Sequence, residues 1–209
     1  MTIAITGASG QLGRLVVAKL KTSTSPSNLI ALERSPAKAA DLGIAAREFD
    51  YAKPETLASA LAQVDTLLLI SSSEIGQRAL QHRNVIDAAK KAGVKRIVYT
   101  SLLHADTSVL NLAAEHIKTE QMLKASGIAH TILRNGWYTE NFTGSLSASV
   151  AHGALIGASG EGRIASAARA DFAEAIAVTA LDAAHAGRTY ELAGDVPHSD
   201  QLFRVFGHR

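Results

Sequence analysis

The sequence predicts an α/β fold built on a doubly wound parallel sheet, and two features of the chain lead to that prediction. Short segments rich in Val, Ile and Leu alternate with segments whose apolar residues recur at helical spacing. Several of the short segments, residues 64–70 above all, are apolar at nearly every position, as strands buried on both faces of a parallel sheet are. Alternation of strand and helix therefore predicts a parallel sheet with helices on both faces.

The predicted elements follow one another from residue 2 to residue 193. The predicted strands are residues 2–6, 28–33, 45–49, 64–70, 96–100, 129–133 and 189–193. The predicted helices are residues 12–20, 37–42, 54–61, 81–92 and 112–125. Pro36 suits the first turn of a helix, and Gly93 and Gly127 are typical helix ends, so these residues set three of the boundaries.

Three glycines, Gly7, Gly10 and Gly13, follow the first predicted strand and lead into the first predicted helix. In a dinucleotide-binding crossover the first glycine allows a sharp turn, the second lets the backbone approach a pyrophosphate, and the third lets the helix pack on the strand. The helix N-terminus then offers unpaired N–H groups to the phosphates. The motif predicts a Rossmann-type NAD(P)-binding fold; the alternative is a glycine-rich turn in another kind of α/β protein.

The second predicted strand ends at Glu33 and Arg34. A guanidinium at this place binds the 2′-phosphate of NADP, whereas a carboxylate binds the ribose hydroxyls of NAD. Neighbours on a strand point to opposite faces, so we expect Arg34 to face the cofactor and Glu33 to lie outward as a solvated charge. The alternative is that both are surface charges.

Polar residues also follow the third and fourth predicted strands, at the edge of the sheet where ligands bind. Asp50 and Tyr51 either border an adenine or form an ordinary turn. Ser71, Ser72 and Ser73 provide small side chains and hydroxyl groups where the backbone must approach a ribose or a phosphate, with a plain polar turn as the alternative.

Residues 134–141 form the densest polar and aromatic cluster in the chain, and they contain its only tryptophan, Trp137. We expect this cluster to face the nicotinamide end of a bound cofactor. Trp137 either contacts the ligand or fills the core, and Asn135 can touch the cofactor in both cases.

The Tyr-x-x-x-Lys pair that provides the proton donor of short-chain dehydrogenases does not occur in this sequence. The helix after the fifth predicted strand carries His116 instead. We expect His116 to face solvent, in preference to contacting ribose or relaying a proton. With no cysteine and with scattered histidines, the sequence has no metal-ligand spacing and no Ser-His-Asp signature, so no catalytic and no metal residue is assigned.

The composition argues against several other kinds of protein. Lysine and arginine are scattered and the net charge is only +2, which argues against a nucleic-acid partner. No apolar run is long enough for a membrane span, and the lack of cysteine excludes a disulfide framework. The first predicted strand begins at Thr2, which leaves no room for a signal peptide, so a cytoplasmic location is expected.

Four strings in the chain are jointly distinctive: ITGASGQLG at residues 5–13, LISSSEIGQR at 69–78, YTSLLHADTS at 99–108 and LRNGWYTEN at 133–141. They resemble the NADPH-dependent quinone oxidoreductases, an NmrA-like branch of the atypical short-chain dehydrogenases. The resemblance implies direct hydride transfer from nicotinamide to a quinone without the Tyr-x-x-x-Lys pair. A non-catalytic NAD(P)-binding redox sensor of the NmrA-like type is the alternative function.

The resemblance also implies which residues bind NADPH, and it places His116 where related dehydrogenases keep their lysine. The implied NADPH-binding residues are Gly7, Ala8, Ser9, Gly10, Gln11, Leu12, Arg34, Ser71, Ser72, Ser73, Asn135, Gly136, Trp137, Tyr138, Thr139 and Glu140.

The chain departs from this family in two places. Glu33 stands where the family has a small apolar residue, which weakens the expected preference for NADP over NAD. The family pattern ends at about Val196. Before that point we expect an NAD(P)-binding domain over residues 1–140. Residues 141–209 then supply the rest of the fold and a small, truncated substrate lobe that lacks most of its lid. The apolar side chains of the tail, which are Phe203, Val205 and Phe206, are then exposed or pack on the partner of a homo-oligomer.

Overall fold

The computed structural model describes residues 1–153 and 162–199, and only the backbone of the last two. Its strands are β1 (Ile3–Thr6), β2 (Leu29–Glu33), β3 (Ala45–Glu48), β4 (Thr66–Leu69), β5 (Arg96–Leu102), β6 (Ala129–Asn135), β7 (Arg163–Ile164), β8 (Thr189–Leu192) and β9 (His198–Ser199). Its α-helices are α1 (Gln11–Lys21), α2 (Pro54–Ala60), α3 (Arg78–Ala92), α4 (Ala113–Ser126), α5 (Glu140–Thr143), α6 (Leu146–His152) and α7 (Arg169–Leu181). Short 3-10 helices occur at Pro26–Asn28, Pro36–Leu42 and Ala183–His185.

Seven strands in the described ranges form one sheet in the order β3-β2-β1-β4-β5-β6-β8, and every neighbouring pair is parallel. The chain runs outward from β1 to β3 and then returns to β4 on the other side of β1. The predicted doubly wound parallel sheet is therefore confirmed. Because the connections leave β1 and β4 in opposite directions, a crevice opens at the carboxyl ends of these two strands.

Helices cover both faces of this sheet and bury two apolar clusters. α1 and α7 lie on one face, whereas α2, α3 and α4 lie on the other. Side chains of β1 point alternately into the two clusters, with Ile3 and Ile5 in the first and Ala4 in the second. All three are fully buried. Burial on both faces explains why the central strands are apolar at nearly every position.

Two helical segments differ from the prediction. Residues 37–42 were predicted to form an α-helix, but Pro36–Leu42 is a 3-10 helix that ends at Gly43, whose φ is +65°. Its buried residues, Ala39 and Leu42, are three positions apart, which matches the three-residue turn of a 3-10 helix. The helix predicted to begin at residue 81 begins at residue 78 instead.

The sequence interpretation assigned no helix between residues 141 and 188, yet α7 lies there. Phe172, Ala173, Ile176, Ala177 and Ala180 are its most apolar buried residues, and their spacing is helical. The signal was therefore present in the sequence. α7 packs beside α1 on the sheet, and β8 pairs with β6, so residues after 140 complete the same fold as the residues before it.

β7 and β9 pair in an antiparallel manner outside the main sheet. Phe203, Val205 and Phe206, on which the expectation about the tail depended, lie outside the described residues. No helix within the described ranges has both the length and the apolar character needed to cross a bilayer.

Replacing Gly13 by alanine is expected to destabilise the protein, although the same change in an exposed helix stabilises it by about 1 kcal/mol. A methyl group on Gly13 would overlap the carbonyl oxygen of Gly7 and would lie 2.7 Å from Cα of Ala8. Both contacts are with backbone, so α1 must shift, at a cost of roughly 1–3 kcal/mol. Urea unfolding of the wild type and Gly13→Ala measures the change in the free energy of unfolding.

The reverse change Ala18→Gly, on the exposed side of α1, isolates the effect of helix propensity and is expected to cost about 1 kcal/mol. A gain in stability for Gly13→Ala would contradict the close approach of α1 to the turn.

Candidate cofactor-binding site

A cleft of about 690 Å³ opens at the carboxyl ends of β1, β2 and β4. Among the residues predicted to bind the cofactor, those that line it are Gly7, Ser9, Gly10, Gln11, Leu12, Arg34, Ser71, Ser72, Ser73 and Tyr138. Those that do not line it are Ala8, Asn135, Gly136, Trp137, Thr139 and Glu140. Asp50 and Tyr51, which were expected either to border an adenine or to form a turn, lie on its wall.

The glycine turn forms one wall of the cleft. Gly7 has a φ of +59°, which favours glycine, and its carbonyl oxygen accepts a 3.0 Å hydrogen bond from the N–H of Gly10. A Cβ on Gly10 would lie 3.1 Å from that oxygen, so a side chain here would crowd the turn. Within the described chain no side chain caps the N-terminus of α1 and no acidic residue lies in its first turn. Its first N–H groups are thus suited to bind an anion.

The prediction that Glu33 lies outward in solvent is wrong. Glu33 is the last residue of β2 and is only 8% exposed, and its Oε1 accepts a 2.5 Å hydrogen bond from the N–H of Ser9. Every residue of β2 is buried, so neither face of this strand leads to solvent. Arg34 lies beyond the end of the strand and is exposed, with its Nη1 3.2 Å from Oε1 of Glu74. Both Glu33 and Arg34 line the cleft.

The serine run, Ser71 to Ser73, forms the opposite wall, and α3 holds its middle residue by hydrogen bonds. The Ser72 carbonyl accepts a 2.7 Å hydrogen bond from Nε of Arg78, and its hydroxyl donates to Oε1 of Gln81 at 2.5 Å. The N–H of Ser71 donates to the hydroxyl of Thr100 at 2.9 Å. These bonds fix the loop after β4 against α3 and β5, because each partner belongs to a helix or a strand.

His82 is a residue that the sequence interpretation missed. It is fully buried on α3, and its Nε2 accepts a 3.0 Å hydrogen bond from the N–H of Ser72. A backbone N–H can only donate, so Nε2 carries no proton, and Nδ1 donates to the Thr119 hydroxyl at 2.9 Å. Burial, together with the nearby His116 and Arg78, lowers the pKa of His82 to about 3. A neutral imidazole therefore supports the serine run.

The prediction that His116 faces solvent is also wrong. His116 is only 4% exposed, and its Nδ1 lies 2.6 Å from the hydroxyl of Tyr99. Burial lowers its pKa to about 4, with a further contribution from the charge on Arg78. His116 does not belong to the cleft wall among the described residues. The structure therefore places it beneath the site rather than beside a ligand.

The end of β6 carries the rest of the predicted residues. Trp137 is 49% exposed, so the interpretation that it fills the core is wrong. Thr139 and Glu140 bind neighbouring backbone: the Thr139 N–H donates to the Ala167 carbonyl, and both Glu140 oxygens accept from the N–H of Arg169 at 3.0 Å. Their observed contacts therefore hold the start of α7 against the end of β6.

Asn135 has a buried amide whose two ends differ. Its Nδ2 donates a long, 3.4 Å hydrogen bond to the Tyr138 hydroxyl, whereas its Oδ1 has no hydrogen-bond partner among the described residues. Buried oxygens are usually paired, so this acceptor is suited to a donor from a ligand. Tyr138 reaches the cleft wall with Arg169, whose guanidinium carbon lies 4.9 Å from the centre of the tyrosine ring. Arg169 is a second residue that the sequence interpretation missed.

A buried ionic network lies behind the ends of β5, β6 and β8. Arg134 donates to both carboxylate oxygens of Glu120, at 3.0 and 2.8 Å, and to Glu191 at 2.8 Å. Asp106 lies 3.0 Å from the same guanidinium. Hydrogen bonds to Glu120 above all raise the pKa of Arg134 above its ordinary value. These charges pair with one another, so the network stabilises the strand ends rather than binding a ligand.

The site therefore fits a dinucleotide better than a metal. The glycine turn leaves room for phosphates, and the serine run is held in place opposite it. Among the described residues no group of three or more His, Cys, Asp or Glu side chains is arranged to hold a metal ion.

Comparison with known proteins agrees with this geometry. A family model described as NAD(P)H-binding matches residues 7–183. Quinone oxidoreductase 2 of Escherichia coli is 59% identical over 196 residues, which span 92% of this chain and 68% of that protein.

Two solved structures are similar over nearly the whole chain. The crystal structure of the NADPH-dependent quinone oxidoreductase of E. coli complexed with NADPH has a TM-score of 0.92 and 57% identity, and the match covers 96% of this chain and 72% of that one. The triphenylmethane reductase of Citrobacter sp. complexed with NADP(H) has a TM-score of 0.93 and 39% identity, with 97% and 73% covered.

The neutral state of His82 predicts a specific dependence of stability on pH. The folded protein keeps His82 unprotonated down to about pH 3, whereas an unfolded chain protonates it near 6.5. The unfolded state therefore binds more protons in this interval. The contribution of His82 to the free energy of unfolding is thus fully present above about pH 6.5 and is lost as the pH drops. One such histidine contributes a slope of about 1.4 kcal/mol per pH unit.

Urea unfolding between about pH 6 and pH 4 is expected to show a slope smaller by about this amount in His82→Gln than in the wild type. The variant His152→Gln is the control, because His152 is exposed on α6 and should keep the wild-type slope. Equal slopes for His82→Gln and the wild type would contradict the assigned neutral state.

Proposed function

The chain belongs to the NAD(P)H-binding family, and from its 59% identity to quinone oxidoreductase 2 of E. coli we propose that it transfers a hydride from NADPH to a quinone. The observation that carries the proposal is the cleft at the switch in strand order, with the glycine turn on one wall and the serine run on the other. In doubly wound sheets this is the place where dinucleotides bind.

The residues that would hold NADPH lie on different elements. The glycine turn and the first N–H groups of α1 suit the pyrophosphate, and Arg34 suits the 2′-phosphate. Asn135 offers its unpaired Oδ1 to a hydrogen-bond donor near the end of β6, where the nicotinamide half is expected. When bound, NADPH supplies the hydride, and the quinone also takes up one proton to become a quinol.

The chain's own side chains fit this reaction because it requires little acid–base chemistry. The sequence has no Tyr-x-x-x-Lys pair, and His116, at the position of the lysine in related dehydrogenases, is buried and bound to Tyr99. Reduction of a ketone needs a proton donor at the carbonyl oxygen, whereas a quinone accepts a hydride to give a stabilised phenolate that water can protonate. The lack of a Tyr-x-x-x-Lys pair therefore favours a quinone acceptor.

The alternative, a non-catalytic redox sensor, is not favoured. The absence of the Tyr-x-x-x-Lys pair motivated it, but the similar quinone oxidoreductase of E. coli is named as an NADPH-dependent enzyme. A cleft that holds a nicotinamide beside a flat acceptor suffices for hydride transfer, because proximity and orientation supply most of what the reaction requires.

Mixing the protein with NADPH and a benzoquinone is expected to consume NADPH, measured as loss of absorbance in stopped flow. NADPH without quinone and quinone without protein are the controls. A rate equal to the uncatalysed background would reject the proposed activity. If calorimetry on the same protein still detected NADPH binding, only the reaction would be rejected and the proposed cofactor site would stand.

Replacing Arg34 by alanine is expected to weaken NADPH binding about tenfold and NADH binding much less, because only NADPH loses a charge-assisted contact. The expected loss is at the low end for such contacts because Arg34 is exposed. Arg83→Ala removes an exposed arginine from α3, outside the cleft wall, and is the control. Calorimetry that finds equal losses for both cofactors would exclude Arg34 as the residue that binds the phosphate.

A further inference from the structure

Glu33 is a buried carboxylate with an unusual environment. Among the described residues no cation forms an ion pair with it, although Arg34 beside it is paired with Glu74. Within the described part of the chain, its carboxylate makes one hydrogen bond, which it accepts from the N–H of Ser9 in the glycine turn. Burial of an unpaired carboxylate costs free energy, so a residue of this kind is retained more readily where it has a role in binding.

The position of the carboxylate brings it next to the expected adenosine ribose. Glu33 ends β2 and lines the cleft, and Oε1 is anchored to the glycine turn. An ionised carboxylate has acceptor capacity on both oxygens, so one bond to Ser9 leaves the other oxygen able to accept. In doubly wound folds an acidic residue at the end of this strand binds the ribose hydroxyls.

The two forms of the cofactor meet this carboxylate differently. A 2′-hydroxyl can donate a hydrogen bond to it. A 2′-phosphate carries a charge of about −1.5 to −2, has no comparable donor and is repelled. Arg34 has the opposite preference, but Glu74 competes with the phosphate for its guanidinium. Attraction by one residue and repulsion by its neighbour therefore act on the same group.

We propose that Glu33 is a specificity-determining residue that binds the 2′-hydroxyl of NADH and disfavours the 2′-phosphate of NADPH, so that the cleft accepts both cofactors with comparable affinity. The inference rests on the proposed function and extends it from one nicotinamide cofactor to two. The 2′-hydroxyl would then provide the second hydrogen-bond donor for the buried carboxylate of Glu33, beside the N–H of Ser9.

The variant Glu33→Gln keeps the shape of the side chain and an oxygen that can accept from Ser9, but it removes the negative charge and adds an amide donor toward a phosphate. Calorimetry with NADPH and NADH is expected to show the ratio of the NADH Kd to the NADPH Kd rising about tenfold. Glu48→Gln is the matched control: Glu48 faces Glu33 across the β2–β3 pair but is exposed and does not line the cleft. It should leave the ratio within about twofold of the wild type. An unchanged ratio in Glu33→Gln overturns the proposal.

The wild type provides a second test that does not depend on folding of a variant. The Kd of NADH is expected to lie within about tenfold of that of NADPH, and a larger gap overturns the proposal. Binding of both cofactors without quinone turnover would reject the proposed reaction and leave the role of Glu33 standing. Failure of both cofactors to bind would reject both.

Discussion

The close approach of α1 to the end of β1 is the contact on which the cleft depends. Gly13 lies so near the backbone of Gly7 and Ala8 that no side chain fits between the helix and the turn. This contact brings the N-terminus of α1 over the carboxyl end of β1, where its first N–H groups point toward the switch in strand order. A larger separation would leave the same strands in place but would move the anion-binding end of the helix away from the crevice.

The opposite wall is positioned by different means. Side chains from β5 and α3 hold the serine run: the Thr100 hydroxyl accepts from the Ser71 N–H, while His82 accepts from the Ser72 N–H and Arg78 donates to the Ser72 carbonyl. His82 and Arg78 are buried, and Thr119 on α4 completes the arrangement by accepting from His82. The wall therefore depends on a particular protonation state, whereas the glycine wall depends on close backbone packing at Gly13 and on the bond between the Ser9 N–H and Glu33.

Local sequence patterns predicted what local physics determines: the seven strands of the main sheet, the glycine turn and the fold class. They failed where burial depends on contacts that are distant in sequence. His116, Thr119 and Glu120 are polar residues on the buried side of α4, where each has a partner within the protein. An interpretation based on apolar spacing assigns such residues to the solvent side of the helix. The prediction that His116 faces solvent was wrong for this reason. α7, whose buried residues are apolar except for Thr179, has a pattern that such an interpretation can detect.

The pair Glu33 and Arg34 shows why the end of a strand is the hardest place to interpret. Alternation of faces holds only while the backbone is extended and paired, and β2 ends at Glu33. Beyond it Arg34 turns toward Glu74. The side chains of Glu33 and Arg34 therefore line the same cleft, although consecutive side chains within a strand point to opposite faces. Side chains of opposite charge line one cleft because regular structure stops between them. If Glu33 binds the ribose as proposed, cofactor preference depends on the balance of these two side chains and cannot be deduced from either alone.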